Sequence, residues 1–231
     1  MVTSLYSIVR TIMALQQCID NKYMCFRHPF TCLCVGATCS GKTQYIAKLI
    51  KFKNDVIFPN VQRVIYSYKK YQPIFDTMPD VEFVQGLNFQ LDRSIPTLLV
   101  IDDQMGDCDP KLTELFTVCA HHENCSIIFV SQVLFFQDKV YRTASQNAMY
   151  IILFRSPRCK SQIGHLARQM LSAKKARELQ EAFEDATSKP FSNMIIDLKP
   201  DTPDILRFKT NILPDEGEPF QSVHLAHVYA I

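Results

Sequence analysis

No run of about 20 apolar residues occurs in the sequence, so no segment is suited to cross a bilayer as a helix, and no membrane partner is expected. Internal repeats and low-complexity linkers are also missing. A formal net charge of only +2 excludes a polycation. The first 27 residues lack the basic start of a secretory signal, and Arg10 interrupts their apolar stretch. Nine cysteines at irregular spacing, an odd count, lead us to expect free thiols in a reducing, intracellular compartment rather than a disulfide framework. The chain has 231 residues, 47% of them hydrophobic and 21% charged, which suffices for one globular α/β domain with a full core.

The most informative stretch is Phe30-Thr-Cys-Leu-Cys-Val-Gly-Ala-Thr-Cys-Ser-Gly-Lys-Thr43. An apolar strand-like run ends in Gly36, and Gly41-Lys42-Thr43 follows five residues later, completing G-x-x-x-x-G-K-T. In such a loop backbone N–H groups cradle phosphates, and Gly36 and Gly41 supply the unusual dihedrals and the close approach. The N-terminus of the next helix points at the same anion. Gly36, Ala37, Thr38, Cys39, Ser40, Gly41, Lys42 and Thr43 are therefore the candidate nucleotide-binding residues. Lys42 would reach the β- and γ-phosphates of ATP, and Thr43 would offer its hydroxyl to Mg²⁺. Tyr45, Ile46, Leu49 and Ile50 have helical spacing, as the strand–loop–helix context requires.

Strands are expected over 63–68, 81–86, 97–105, 126–132, 148–154, 193–199 and 206–213. Helices are expected over 110–120 and roughly 160–187, together with an amphipathic N-terminal helix through Leu5, Ile8, Val9, Ile12 and Met13. Alternation of apolar strands with helices implies a mostly parallel sheet covered on both faces.

The run Leu98-Leu99-Val100-Ile101-Asp102-Asp103 delivers carboxylates to the carboxyl edge of that sheet. Asp102 is placed to hold the Mg²⁺ shell, and Asp103 to take a proton from, or to orient, the attacking water. The strand over 126–132 ends in Ser131-Gln132, and the Gln132 amide can contact both a γ-phosphate and a water. From 139 to 177 there are nine Lys/Arg and no acid, and from 42 to 70 seven against Asp55 alone. Such blocks suit a polyanion-facing surface, or simply solvated faces. Arg142, Arg155 and Arg158 lie in the first block. Each is a candidate to stabilise the leaving γ-phosphoryl group from a neighbouring subunit, with Arg142 first. Cys119, His121, His122 and Cys125 lack the paired spacing of a zinc knuckle and read better as a helix end with packed cysteines. Cys32 and Cys34 share one strand face and are expected in the core. Cys39 lies within the loop.

Taken in order, "HPFTCLCVGATCSGKT", "LLVIDDQM", "LFTVCAHHENCSIIFVSQVLFFQ", "RTASQNAMYIILFRSPRCKSQIGHLARQ" and "LKPDTPDILRFKTNI" resemble the genome-packaging ATPases of Maverick/Polinton elements and adintoviruses. These are similar to the FtsK–HerA group of P-loop motors and to poxvirus packaging ATPases. The likeness runs from about Arg27 to Leu213. It divides the chain into an N-terminal extension, 1–26, and a P-loop ATPase domain, 27–231. The resemblance implies a RecA/ASCE-like three-layer sandwich that assembles into a homo-oligomeric ring and drives double-stranded DNA into a capsid, docking on a vertex or portal-like component. It implies the nucleus or a virus-assembly site as the place of action. It maps the strand-end sensor glutamine onto Gln132. The second acid is often glutamate in the wider superfamily and is Asp103 here.

Two other classes share the loop. A P-loop nucleoside or nucleotide kinase would use Arg142 to Arg158 as a lid, and a nucleotide switch would turn over slowly. The aspartate pair with a strand-end glutamine favours water as the acceptor, and no second-substrate signature is apparent.

Overall fold

The computed structural model describes residues 25–102, 114–116, 124–135, 139–156 and 160–214. Asp103, Arg158, Cys119, His121, His122, the amphipathic segment 5–13 and most of the helix expected over 110–120 lie outside them.

β-Branched and apolar residues form the strands β1 (Phe26–Arg27), β2 (Thr31–Val35), β3 (Ile57–Phe58), β4 (Arg63–Tyr68), β5 (Glu82–Gln85), β6 (Thr97–Asp102), β7 (Cys125–Ser131), β8 (Tyr150–Phe154), β9 (Asn193–Asp197) and β10 (Phe208–Lys209). Helices α1 (Lys42–Lys51), α2 (Lys53–Val56), α3 (Lys139–Gln146), α4 (Lys160–Met170) and α5 (Ala173–Ala186) alternate with them. Eight strands join in the order β10-β9-β8-β2-β7-β6-β4-β5. Six, from β8 to β5, are mutually parallel, while β9 and β10 add antiparallel at one edge. The small β1 and β3 pair apart from the main sheet.

Strands β2, β6, β7 and β8 are buried along their whole length, as parallel strands covered on both faces must be. Their alternation sends Leu33, Leu99, Ile101, Ile127 and Phe129 to one core, where Ile163, Leu166, Leu179 and Phe183 of α4 and α5 pack. Cys32, Cys34, Val100, Ile128 and Val130 face the other core, which Tyr45, Ile46, Leu49 and Ile50 of α1 cover. The architecture is thus a three-layer α/β sandwich with a mostly parallel central sheet.

Two expectations change. The strand expected over 206–213 shrinks to Phe208–Lys209. A 3₁₀ turn, Asp204–Leu206, precedes it, and Arg207 donates hydrogen bonds to the Asp197, Lys199 and Thr202 carbonyls; beyond it Asn211 takes a positive φ of 52°. Cys125 is fully buried, a packed cysteine as expected, but it begins β7 instead of belonging to a helix end.

Candidate nucleotide site

All the parallel strands end at one edge of the sheet, the edge at which open α/β folds bind ligands. There β2 passes into the 36–41 loop. Gly36 N–H donates to the Ser131 carbonyl at 3.2 Å, which fastens the start of the loop to β7. A Cβ on Gly36 would lie 2.6 Å from Phe154 Cβ and 2.6 Å from Ser40 Oγ, so only glycine fits. The loop then turns through left-handed conformations at Cys39 (φ 63°) and Gly41 (φ 98°). The second of these is costly for a residue with a Cβ. Tyr45 N–H donates to Gly41 O at 2.9 Å and opens α1. No acidic residue occupies the first turn of α1, while Lys48 and Lys51 lie in its last turn. The helix dipole thus leaves its N-terminus positive toward an anion.

Lys42 extends back over the loop, its Nζ donating to the carbonyls of Gly36 at 2.7 Å and Ala37 at 2.8 Å. Asp102, at the end of β6, is buried and accepts a hydrogen bond from Tyr66 Oη at 2.8 Å. Burial, and then the Asp102 charge, raise the Tyr66 pKa, so the phenol stays a donor and aims the carboxylate. Burial likewise keeps the Cys34 thiol protonated beneath the loop. Ser131 Oγ closes a local turn, donating to Val133 O at 2.8 Å and accepting from Val133 N at 3.1 Å. Gln132, one residue past β7, is exposed.

These parts share one cleft of about 580 Å³, within the range of nucleotide-sized sites. Its walls include residues 38–44, Asp102, Ser131 and Gln132. The sequence motifs account for all of these except Gln44, and they come from three strand ends and one helix start. Cys39 is exposed on the rim. Arg142 is exposed on α3 and Arg155 is exposed after β8; neither lines this cleft. Arg155 instead borders a second pocket with Gln180, Phe183 and Glu184 of α5.

Besides Gln44, the sequence motifs do not point to Tyr66, to Gln72, Pro73 and Ile74, or to Phe191. In the sequence Tyr66 is simply one residue of an apolar strand. Gln72, Pro73 and Ile74 form one wall, and Phe191 another. None of them carries a local motif; Tyr66 acts on the cleft through Asp102, and the others reach its wall through folding.

The donor set suits a magnesium-bound nucleoside triphosphate. Ser40 Oγ is a buried hydroxyl with no hydrogen-bond partner, within a loop that wraps anions. The ammonium of Lys42 holds carbonyls that a phosphate can replace, and a hard carboxylate, Asp102, lines the same cleft as Thr43.

A phosphate loop on the central strand, with β7 inserted between it and the acid-bearing β6, defines the P-loop NTPase fold in its RecA-like form. No protein-family model matches the chain, and no curated protein does. Among solved structures the chain is similar to the genome packaging NTPase B204 from Sulfolobus turreted icosahedral virus 2. The complex with ATP-gammaS has 18% identity and a TM-score of 0.48, covering 79% of this chain and 97% of that one. The complex with AMPPCP has the same identity and score, covering 79% and 96%.

Proposed function

We propose that the protein is an ATP-hydrolysing motor that drives double-stranded DNA into a viral or virus-like capsid. The observation that carries the ATPase reading is the single cleft uniting the phosphate loop, Asp102 and Gln132. Thr43 and Asp102 are the residues that would hold Mg²⁺, which when bound neutralises charge on the β- and γ-phosphate oxygens. Lys42 exchanges its two carbonyl partners for phosphate oxygens. Gln132 orients the attacking water, and Asp103, next to Asp102 in sequence, takes its proton. Arg142, exposed on α3, acts across a subunit interface on a neighbour's γ-phosphate, which makes hydrolysis depend on ring assembly.

The DNA-packaging part rests on the ordered sequence segments that resemble Maverick/Polinton and adintovirus packaging ATPases, and on the acid-free basic block over 139–177. With that reading go a homo-oligomeric ring, a capsid vertex or portal-like partner, and action in the nucleus or at a virus-assembly site. The test is steady-state ATP hydrolysis with and without double-stranded DNA, run beside nucleoside acceptors. Turnover should rise with DNA and no phosphorylated nucleoside should appear. DNA-insensitive turnover, or phosphoryl transfer to a nucleoside, would overturn the motor. Mixing Arg142→Ala with Lys42→Ala subunits should partly restore activity. Rings that form but stay inactive would remove Arg142 from the site.

A further inference from the structure

We infer that Phe191 is the stacking platform for the nucleobase. This rests on the nucleotide-site reading above and adds to it the end of the ligand that the phosphate loop does not hold. Phe191 lies in the turn between α5 and β9, on the cleft wall, and is 62% exposed. It is one of three large hydrophobic side chains exposed among the described residues; the other two, Phe58 and Tyr71, do not line the cleft.

Its placement is specific. A Cβ built on Gly41 would come within 3.1 Å of both Cβ and Cδ1 of Phe191, so the ring is seated directly against the loop residue that precedes Lys42. Strand order decides which end of the ligand this is. Asp102 and Gln132 close the cleft from β6 and β7, on one side of β2. The γ-phosphate must point to them, because the carboxylate and the amide act there. The triphosphate chain therefore runs its α-end toward the other side of β2, where β8 and β9 lie and where Phe191 is carried. A flat apolar ring at that point offers a π-face to a base, and stacking of this kind accepts any base.

The backbone supports the same assignment. Phe191 has φ 65°, a left-handed conformation unusual for an aromatic residue. It is held by Ser192, whose N–H and Oγ both bond the Lys189 carbonyl, at 3.4 and 2.6 Å. Strain of this sort gathers at ligand clamps. Here it keeps a large apolar side chain in solvent, over the loop, instead of turning it into the core.

The chain contains no tryptophan, so Phe191→Trp introduces a single indole reporter. Its emission should change on adding magnesium and ATP, and should not change with magnesium and tripolyphosphate, which has the phosphates but no base. In parallel, Phe191→Ala should weaken ATP binding about tenfold, within the range of a lost stack, while tripolyphosphate affinity stays within about twofold of wild type. Phe191→Asn, whose side chain tolerates the left-handed backbone, should show the same split, so a folding defect in the alanine variant does not decide the matter. Equal losses for ATP and tripolyphosphate, or no loss of ATP binding in either variant, would overturn the platform and leave the phosphate loop standing. If neither ligand binds the wild-type protein, the nucleotide site itself falls, and the platform with it.

Discussion

Two lysine sites at opposite edges of the same sheet show how similar groups serve different ends. At the carboxyl edge, Lys42 binds the two carbonyls of its own loop in an open cleft. At the other edge, Lys209 donates to Asp197 at 3.1 Å, and Lys199 stands 3.5 Å from the same carboxylate and 3.6 Å above the Tyr150 ring. Asp197 is buried there, and Arg27 pairs with Asp201 nearby at 2.5 Å. Burial, and then Arg27 and Lys209, depress the Lys199 pKa to about 6. The first arrangement leaves a cation able to change partners. The second encloses its charges and joins β8, β9 and β10. A perturbed lysine is therefore no guide to function by itself; what separates the two is whether the neighbouring groups enclose the charge or leave room for a ligand.

Substitutions should divide along that line. Lys42→Ala should lower ATP hydrolysis by about 10²–10³-fold or more, the scale for removing one group that stabilises developing charge. Its urea midpoint should stay near wild type. A variant that hydrolyses ATP normally would refute the site. Asp197→Asn should do the reverse, costing about 3 kcal/mol of stability because Lys209 is left buried without its carboxylate. Activity per folded molecule should be unchanged, as denaturant titration followed by assay at low denaturant would show.

Tyr66→Phe falls between the two regions, since it removes the hydrogen bond that aims Asp102. It should raise the Mg²⁺ concentration needed for half-maximal hydrolysis about tenfold, as loss of an outer-shell partner does, with about 1 kcal/mol of lost stability. An unchanged Mg²⁺ dependence would mean that Asp102 holds its position without the phenol.

The smallest effect is a pH dependence. Unfolded, Lys199 keeps its proton up to its ordinary value of 10.5; folded, it releases it near 6. Between those values the unfolded chain binds the additional proton, so this group makes stability rise with pH across that window. Lys199→Met should flatten the slope and add about 1 kcal/mol near neutrality. An unchanged slope in urea titrations of Lys199→Met at several pH values would show that Lys199 stays charged in the fold.

The strand over 63–68 was legible because its apolar run stands alone between polar stretches, and the structure has it as β4 without change. The phosphate loop was legible because its chemistry is written in eight consecutive residues. The end of the chain was less so. Leu206 to Leu213 alternates like a strand, but the 3₁₀ turn over Asp204–Leu206 and the three carbonyls bound by Arg207 claim its first residues.

Sequence alone determined the loop, the acid-bearing strand, the glutamine-ended strand and the alternation that makes a parallel sheet. These depend on neighbours within a few positions, where side-chain period and backbone preference act directly. Only the tertiary structure decided that β7 lies between β2 and β6, that Tyr66 aims Asp102, and that Phe191 rests on Gly41 from 150 residues away in the chain. Those contacts arise from packing two cores against one sheet, and packing selects partners by shape and burial rather than by any pattern that a single segment carries.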